Sequence, residues 1–350
     1  MNIQQVKSTL EKTSFEDNYI KMSQEDIKNQ NAFEWYYFDI KNDTASMVIQ
    51  FKRKDGCIHE NPFIQFEYKS PTLDYEKLQI YEQDAFSATL DDENTYTVRI
   101  GPNTLTYRKF ENDKMKISIQ IKIEHAQLTV DITPTFQGFK PNKTGQYFYW
   151  NKLPETNSNV IFAAPCYDAI VSGEIADEKI DAFKGKGYHD HPWGTSNLMR
   201  THAKWHWAHI TTKQFTFLYT DVTPKKNIIG QLKYLFIGKN GKYEPILSDD
   251  FTYKAENWGK ETKFSFPHKF TIENNTPKFT IVLDYIESVL DLSIYNRSKV
   301  KAEYLGADGT KEEGEGWLEY FEMPGLPPSI LEFANKAKFK KWIKNMPKKK

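Results

Sequence analysis

The sequences MKISIQIKI, residues 115–123, and LTVDITP, residues 128–134, decide the fold class of this chain. Isoleucines alternate with polar side chains in the first segment, and Leu128, Val130 and Ile132 continue the alternation in the second. Alternation on every second residue places apolar side chains on one face of a β-strand and polar side chains on the other. The two segments therefore predict an antiparallel hairpin with one buried face and one face in water.

Short strands of the same kind recur along the chain. A second hairpin is predicted at YLFIGKNGKYEPIL, residues 234–247, because Asn240 and Gly241 suit a tight primed turn. Further strand candidates are WYYFDI (35–40), SMVIQFKR (46–53), TYTVRI (95–100), WHWAHITT (205–212), QFTFLYTDV (214–222), KFTIVLDYI (278–286) and LDLSIYNR (290–297). Such strands, separated by turn residues and lacking helical periodicity between them, predict an all-β fold of sandwiches or barrels.

The length predicts more than one domain, because 350 residues exceed the usual size of a single hydrophobic core. Residues 1–30 are polar and charged and are expected to form an arm. Residues 31–195 and 196–350 are the two expected β domains.

Composition argues against several classes of function. Lys+Arg and Asp+Glu both total 47, so no basic excess indicates a nucleic-acid partner. Cys57 and Cys166 are too few for a disulfide framework or a cysteine-based zinc site. The N-terminus lacks the apolar core of a signal peptide and no apolar run is long enough to cross a membrane, so a cytoplasmic protein is expected. The aromatic fraction of 15% suits a wall around a large apolar ligand.

One helix is predicted at the C-terminus, within PPSILEFANKAKFKKWIKNMPKKK, residues 327–350. Ser329 followed three residues later by Glu332 forms a capping box at the helix start. This lysine-rich helix is expected to pack over the end of a barrel. The alternative is a weak contact with an anionic membrane surface, where each lysine adds about 1 kcal/mol.

The stretch KGYHDHPWGT, residues 186–195, has three interpretations: a metal site, an acid/base site or a tight corner. A metal site would draw on the histidines at 189 and 191 together with His202, His206 and His209. In a strand, however, His206 faces away from His209 and from the flanking tryptophans, so the histidines diverge. No metal site is therefore expected.

The acid/base interpretation rests on the same alternation. In an extended chain Tyr188 and Asp190 point to one side, and Trp35, Tyr37 and Asp39 share one face of FEWYYFDI. A carboxyl group among aromatic rings is poorly solvated and can stay protonated near neutrality as a proton donor. Aromatic rings also stabilise a cation formed by protonating an alkene. The alternative for Asp190 is structural, because Asp in a corner rich in Gly and Pro often bonds to the backbone and holds a turn.

The backbone of residues 186–195 is expected to bend at the junction between the first and the second β domain. Gly187, Pro192 and Gly194 would set the geometry of the bend, and Trp193 would pack in the junction. The two histidines of the stretch would hold neighbouring strands by hydrogen bonds.

Three landmarks in order, FEWYYFDI (33–40), GYHDHPWG (187–194) and WHWAHI (205–210), resemble the carotenoid 1,2-hydratase (hydroxyneurosporene synthase) family. They are also similar to the lipocalin-like pericyclases, or Diels-Alderases. The resemblance implies two lipocalin-like β-barrels or sandwiches in tandem, with a lipophilic ligand near their junction. It also implies lyase or isomerase chemistry on polyenes, terpenoids or polyketides without a metal or organic cofactor.

The resemblance carries over to particular positions. The matching residues are Trp35, Tyr37 and Asp39 in the first landmark and Tyr188, Asp190, His191, Trp193 and Gly194 in the second. The chain departs from the family pattern at Tyr36, where Trp is expected, at Pro192, where Asn is common, and at Ala208-His209, where Gly-Arg is frequent. These departures argue against a plain orthologue of the carotenoid enzyme.

The leading hypothesis is an enzyme that encloses a lipophilic, unsaturated small molecule and catalyses hydration, cyclisation or isomerisation. The candidate catalytic residues are Asp190, Tyr188, His191 and Asp39, and the candidate substrate-binding residues are Trp35, Tyr37, Trp193, Trp205 and Trp207. In the hydratase version Asp190 protonates an isolated double bond. In the pericyclase version the pocket folds the substrate into its reactive conformer while a Tyr or His donor polarises a carbonyl. The rival hypothesis is a carrier that binds a lipophilic ligand without converting it.

Overall fold

The computed structural model describes residues 10–322, apart from residues 57–58, 112–113, 151–152, 226–227, 240–241, 248–249, 260–265 and 292–294. The described chain is nearly all β and forms two curled antiparallel sheets, which confirms the predicted tandem lipocalin-like fold. Its helical segments are one α-helical turn, α1 (Leu198–Thr201), and the 3-10 turns Phe15–Asn18, Asp26–Lys28 and Gln83–Ala85. The predicted helix of residues 327–350 lies outside the described residues.

Two compact units make up the chain, and they divide between Asn197 and Leu198. The strands of the first unit are β1 (Leu10–Lys12), β2 (Phe33–Lys41), β3 (Ser46–Asp55), β4 (Phe63–Lys69), β5 (Asp74–Ile80), β6 (Phe86–Asp92), β7 (Thr95–Ile100), β8 (Asn103–Lys109), β9 (Met115–Ile123), β10 (Ala126–Pro134), β11 (Phe139–Pro141), β12 (Gln146–Trp150), β13 (Leu153–Ile175) and β14 (Glu178–Gly194). The strands of the second unit are β15 (His202–Thr212), β16 (Phe215–Pro224), β17 (Ile228–Ile229), β18 (Leu232–Lys239), β19 (Lys242–Leu247), β20 (Phe251–Gly259), β21 (Phe266–Asn274), β22 (Phe279–Asp291), β23 (Tyr295–Gly306) and β24 (Lys311–Glu322).

The sheet of the first unit has the main order β5-β4-β3-β2-β14-β13-β10-β9-β8-β7-β6. Most neighbours in this order are also neighbours in sequence, but β14 lies beside β2. That one long-range pairing joins the early strands to the late ones. The concave core is lined by alternate residues of the strands, for example Tyr36, Ile49, Ile119 and Val130.

The sheet of the second unit has the order β19-β18-β16-β15-β24-β23-β22-β21-β20. Here β24 lies beside β15, so the last described strand pairs with the first strand of the unit. The core of this unit includes Ala208, Phe217, Ile272 and Leu318. In each unit an early strand thus pairs with a late one.

Both predicted hairpins are confirmed. In the β9–β10 pair Ile121 lies opposite Leu128 and Ile119 lies opposite Val130, and all four side chains are buried. In the β18–β19 pair residue 234 lies opposite residue 247. The turn residues of this second hairpin, 240–241, lie outside the described residues.

The predicted bend at residues 186–195 is wrong for most of its length. Residues up to Gly194 continue β14 as an extended strand that pairs with β13 on one side and with β2 on the other. Gly187 serves close strand packing, because a Cβ atom there would lie 1.9 Å from the Asp39 carbonyl oxygen and 2.6 Å from the Tyr167 ring. The chain leaves the strand only after Gly194 and reaches β15 through α1.

Candidate functional site

The pairing of β14 with β2 sets the geometry of the candidate site. Tyr188 lies opposite Asp39, and Asp190 lies opposite Tyr37. Directly opposed residues share a face of the sheet, so the four side chains lie together on one face, as the alternation predicted. This face points away from the core cluster of the first unit, which holds Tyr36 and other alternate residues of β2.

Tyr188 and Asp190 are joined directly. The Tyr188 hydroxyl donates a hydrogen bond of 2.7 Å to Oδ2 of Asp190. Tyr188 is fully buried, whereas Asp190 is partly exposed at the end of the pair. A hydrogen bond donated to a carboxylate oxygen favours the ionised carboxylate. In this hydrogen bond Asp190 is the acceptor and the Tyr188 phenol is the donor.

Aromatic rings surround this pair. The Tyr37 ring lies 6.2 Å from the Tyr188 ring, and the Phe162 ring lies 6.5 Å from it on the β13 side. Both Tyr37 and Phe162 are buried. Asp190 is thus a residue of intermediate exposure whose Oδ1 is buried and whose surroundings include aromatic and phenolic rings.

Tyr147 on β12 is a site residue that the sequence analysis missed. Burial raises its pKa, and the negative charge of Asp190 raises it further, while a hydrogen bond with Ser158 opposes the shift. Tyr147 therefore stays a neutral phenol and a hydrogen-bond donor close to Asp190. The sequence QYFYW (146–150) carries no signal that separates Tyr147 from its aromatic neighbours.

Asp39 differs from Asp190 in its surroundings. Its side chain is fully buried, and its backbone carbonyl accepts a hydrogen bond of 2.7 Å from the Tyr167 hydroxyl. Asp190 is thus the more exposed of the two aspartates.

The candidate substrate-binding tryptophans fall into two groups. Trp35 and Trp193 belong to the first unit. The Nζ atom of Lys52 lies 4.6 Å from the centroid of the Trp35 ring. The ring centroids of Trp193 and His191 are 5.4 Å apart. Trp205 and Trp207 lie on β15, in the second unit. The structure groups Trp35 with Tyr37 on one strand face, as predicted from their spacing.

His189 and His191 occupy the opposite face, within the core. Nδ1 of His189 donates to the Tyr37 carbonyl at 2.8 Å, and Nε2 lies 2.8 Å from the Tyr107 hydroxyl. Burial lowers the pKa of His189 to about 3, so the ring is neutral and Nε2 accepts from Tyr107. The predicted hydrogen bonds from the histidines to neighbouring strands are confirmed.

His191 donates from Nε2 to Glu34 at 3.1 Å and stacks on Tyr36 with ring centroids 4.0 Å apart. Burial lowers its pKa, and the hydrogen bond and charge of Glu34 oppose the shift. Because it points into the core, His191 is not brought together with Asp190, although both were candidate catalytic residues. Within the described ranges no group of three or more His, Cys, Asp or Glu side chains could hold a metal ion.

The fold is that of tandem lipocalin-like β proteins, and several solved structures share this fold. CghA with Sch210972 superposes with a TM-score of 0.62 at 10% identity, over 91% of this chain and 94% of that chain. Kievitone hydratase from Nectria haematococca gives a TM-score of 0.55 at 10% identity, over 89% and 96% of the two chains. A candidate AttH from Nitrosomonas europaea gives 0.59 at 14% identity, over 89% and 97%.

These similarities confirm the fold that the sequence resemblance implies. No family model matches the chain, and no curated protein sequence matches it. Among the described residues no helix is long and apolar enough to cross a membrane.

Proposed function

We propose that this protein is an enzyme that encloses a lipophilic, unsaturated small molecule and catalyses its hydration, cyclisation or isomerisation. The observation that carries the proposal is the Tyr188–Asp190 pair, in which a partly exposed aspartate accepts a hydrogen bond from a buried phenol near aromatic rings. Such a pair combines a proton acceptor with apolar surface for substrate.

The proposed step begins with Asp190 ionised, because Tyr188 donates to its carboxylate. Asp190 accepts a proton from a carbon atom next to a substrate carbonyl. The electron pair of that C–H bond forms a carbon–carbon double bond, and the π pair of the carbonyl moves to its oxygen. The hydroxyl of Tyr37 or Tyr147 donates a hydrogen bond to this developing oxyanion. Return of the proton from Asp190 to a different carbon completes an isomerisation.

The same groups serve the other two reactions. In a hydration, Asp190 accepts a proton from the water that adds to a conjugated double bond and then returns it to the neighbouring carbon. In a cyclisation no proton has to move, because a phenol polarises the carbonyl and the pocket holds the reactive conformer. All three versions use side chains of this chain alone.

Two of the solved structures support a ligand of this kind. One was determined with Sch210972 bound to CghA, and another is named as a hydratase of kievitone. The shared fold makes the same class of small lipophilic substrate the natural one to test here.

The test compares wild-type protein with Asp190→Asn on the lipophilic extract of the producing organism, followed by mass spectrometry. We expect the wild-type protein to convert a component, with a gain of one water for hydration or an isomer of equal mass for cyclisation or isomerisation, and we expect Asp190→Asn to lose the conversion where the reaction moves a proton. A compound that binds to the wild-type protein and is recovered unchanged would support the carrier hypothesis instead.

A further inference from the structure

A row of polar side chains crosses the inner face of the second sheet at one end of its core. Register places Lys233 opposite Asp221, Asp221 opposite His206, His206 opposite Tyr320, and Tyr320 opposite Asn296. Their neighbours on the same face, such as Ala208 and Leu318, belong to the apolar core. Five polar residues in one row at the edge of an apolar core are unusual, because buried polar groups are costly without partners.

Aromatic rings contact the residues of this row and border it. His206 stacks on Tyr320 with centroids 4.5 Å apart, and the rings of Tyr253 and Phe270 meet its edge at 5.0 and 5.5 Å. Trp258 contacts Tyr320 at 5.7 Å and is 48% exposed. The aromatic wall therefore runs from the buried His206 out to solvent.

The charges near the row are largely compensated. Lys204 pairs with Asp221 at 2.8 Å, and its Nζ lies 4.5 Å from the centroid of the Tyr253 ring. Glu322 lies 3.4 Å from Nε2 of His206 and is about half exposed. Burial lowers the pKa of His206, so its ring is neutral near pH 7. The ammonium group of Lys204 disfavours a second cation here, and the carboxylate of Glu322 disfavours an anion.

Four buried polar atoms at or beside this row have no hydrogen-bond partner within the described part of the chain. They are Nδ1 and Nε2 of His206, Oδ1 of Asp221 and the hydroxyl of Tyr219. All three side chains are at most 2% exposed. Each unsatisfied group costs about 1–3 kcal/mol, and buried polar groups in native proteins normally have a partner. The Tyr219 hydroxyl and the His206 ring lie near an oxygen of the Asp221 carboxylate. A ligand with a hydroxyl group matches this set, because its O–H can donate to the carboxylate and its oxygen can accept from the phenol.

We propose that the inner face of the second sheet, at Tyr219, His206 and Asp221, is a binding site for a small, neutral, planar hydroxylated aromatic compound. The ring of the ligand packs at the exposed end of the aromatic rings, against Tyr320 and Trp258. Its hydroxyl donates to Oδ1 of Asp221, and its oxygen accepts from the Tyr219 hydroxyl. This site is on the second sheet, whereas the Tyr188–Asp190 pair belongs to the first, so the proposal does not depend on the proposed reaction.

The experiment uses the full chain and two probes, 2-naphthol and naphthalene, in calorimetric titrations. We expect 2-naphthol to bind with one-to-one stoichiometry and more tightly than naphthalene. The Tyr219→Phe variant should weaken 2-naphthol binding about five-fold, the value of one net hydrogen bond. The control variant Tyr304→Phe, at a partly buried tyrosine that packs on Phe217 and Phe279, should bind 2-naphthol like the wild-type protein.

A second readout separates binding from a structural role. Without ligand, Tyr219→Phe should keep or raise the melting temperature, because it removes an unsatisfied buried hydroxyl. A fall in its melting temperature would assign Tyr219 to an internal network and overturn the proposal. Absence of 2-naphthol binding, equal affinity for naphthalene, or unchanged affinity in Tyr219→Phe would leave only ordered water at these atoms and would also overturn it.

Discussion

At the residue scale, buried histidines determine how this protein responds to acid. Burial lowers the pKa of both His189 and His202 to about 3, from an ordinary value of 6.5. The unfolded chain therefore binds protons between about pH 6.5 and pH 3 that the folded chain does not. The stability that these neutral histidines contribute is complete above pH 6.5 and is lost as the pH falls through this window.

The first prediction follows from that linkage. Replacing His189 by Gln keeps a hydrogen-bonding group near Tyr107 but removes the titration. Between pH 6.5 and pH 4, the free energy of unfolding should depend less steeply on pH in the variant than in the wild-type protein. We expect the slope to be smaller by on the order of 1 kcal/mol per pH unit. Thermal denaturation over this pH range measures the effect. An unchanged slope in His189→Gln would show that His189 titrates normally in the folded protein.

Gly187 gives a second prediction at the same scale. A Cβ atom at this position would meet the Asp39 carbonyl oxygen at 1.9 Å, and neither strand can move without disturbing the β14–β2 pairing. Gly187→Ala should therefore destabilise the protein by about 1–3 kcal/mol, the usual cost of overpacking. The matched control is Lys186→Ala, one residue earlier and exposed. Equal stability of the two variants in chemical denaturation would contradict the close approach.

The faces of the site residues could be predicted from the sequence, but their partners could not. Alternation alone placed Tyr188 and Asp190 on one side of a strand and the histidines on the other, since the side-chain period of a strand is fixed. It could not indicate the hydrogen bond from Tyr188 to Asp190, the burial of Asp39 or the role of Tyr147. The burial of Asp39 and the position of Tyr147 depend on which strands become neighbours, and the hydrogen bond within β14 depends on side-chain rotamers that periodicity does not specify.

At the scale of elements, β2 is held to its surroundings by a buried charged network around Glu34. Oε2 of Glu34 pairs with Arg53 at 3.0 Å, and Oε1 accepts from the Lys21 backbone at 2.6 Å and from His191. Burial acts to raise the pKa of Glu34, but these partners outweigh it and hold the pKa below its ordinary value. The network connects β2, β3 and β14 with the segment that precedes β2.

Glu34→Gln should therefore be strongly destabilising. The substitution keeps the shape of the side chain but leaves Arg53 buried without its counter-charge, a loss of about 3–5 kcal/mol. The control is Glu313→Gln, because the Lys301–Glu313 pair spans 3.0 Å between side chains that are more than half exposed. That variant should melt like the wild-type protein. Similar melting temperatures for the two variants would show that the Glu34 network contributes little.

The course of β14 shows why the predicted bend failed. Gly, Pro and Asp in KGYHDHPWGT are typical of turns, and residues 186–195 were expected to bend for that reason. In the folded chain Gly187 and Gly194 allow close approach of neighbouring strands instead, since a Cβ at Gly194 would lie 2.3 Å from the Asn157 carbonyl oxygen. Sequence composition alone does not distinguish a glycine needed for a turn from one needed for close packing.

At the scale of the whole molecule, the local parts of the two sheets could be predicted from the sequence. Alternating apolar residues predicted the hairpins at 115–134 and 234–247, and both form. The pairings between distant strands could not be predicted. They join β14 to β2 in the first sheet and β24 to β15 in the second. Those pairings join segments far apart in the chain, and short-range periodicity contains no information about them.

The lysine-rich segment of residues 329–350 lies outside the described residues and gives a prediction for the whole chain. If it packs as a helix over one end of a barrel, its removal should lower the melting temperature and leave binding to anionic vesicles negligible, as in the full chain. Sedimentation with vesicles that contain anionic lipid measures the second property. Co-sedimentation of the full chain, lost on truncation, would replace the packing role with membrane contact.

The central claim, that the Tyr188–Asp190 pair performs the chemistry, is tested most directly by the turnover of Asp190→Asn on the compound that the wild-type protein converts. Turnover and melting temperature are measured together, with Asp39→Asn as the comparison. For hydration and isomerisation, the two reactions in which Asp190 moves a proton, the account predicts that Asp190→Asn loses about 10²-fold or more in rate with little change in melting temperature, because Asn keeps the shape but cannot exchange the proton. Asp39→Asn should lower the melting temperature and keep the turnover of the folded fraction. Near-normal turnover by Asp190→Asn would contradict the account and move the search to Asp39 or Glu34.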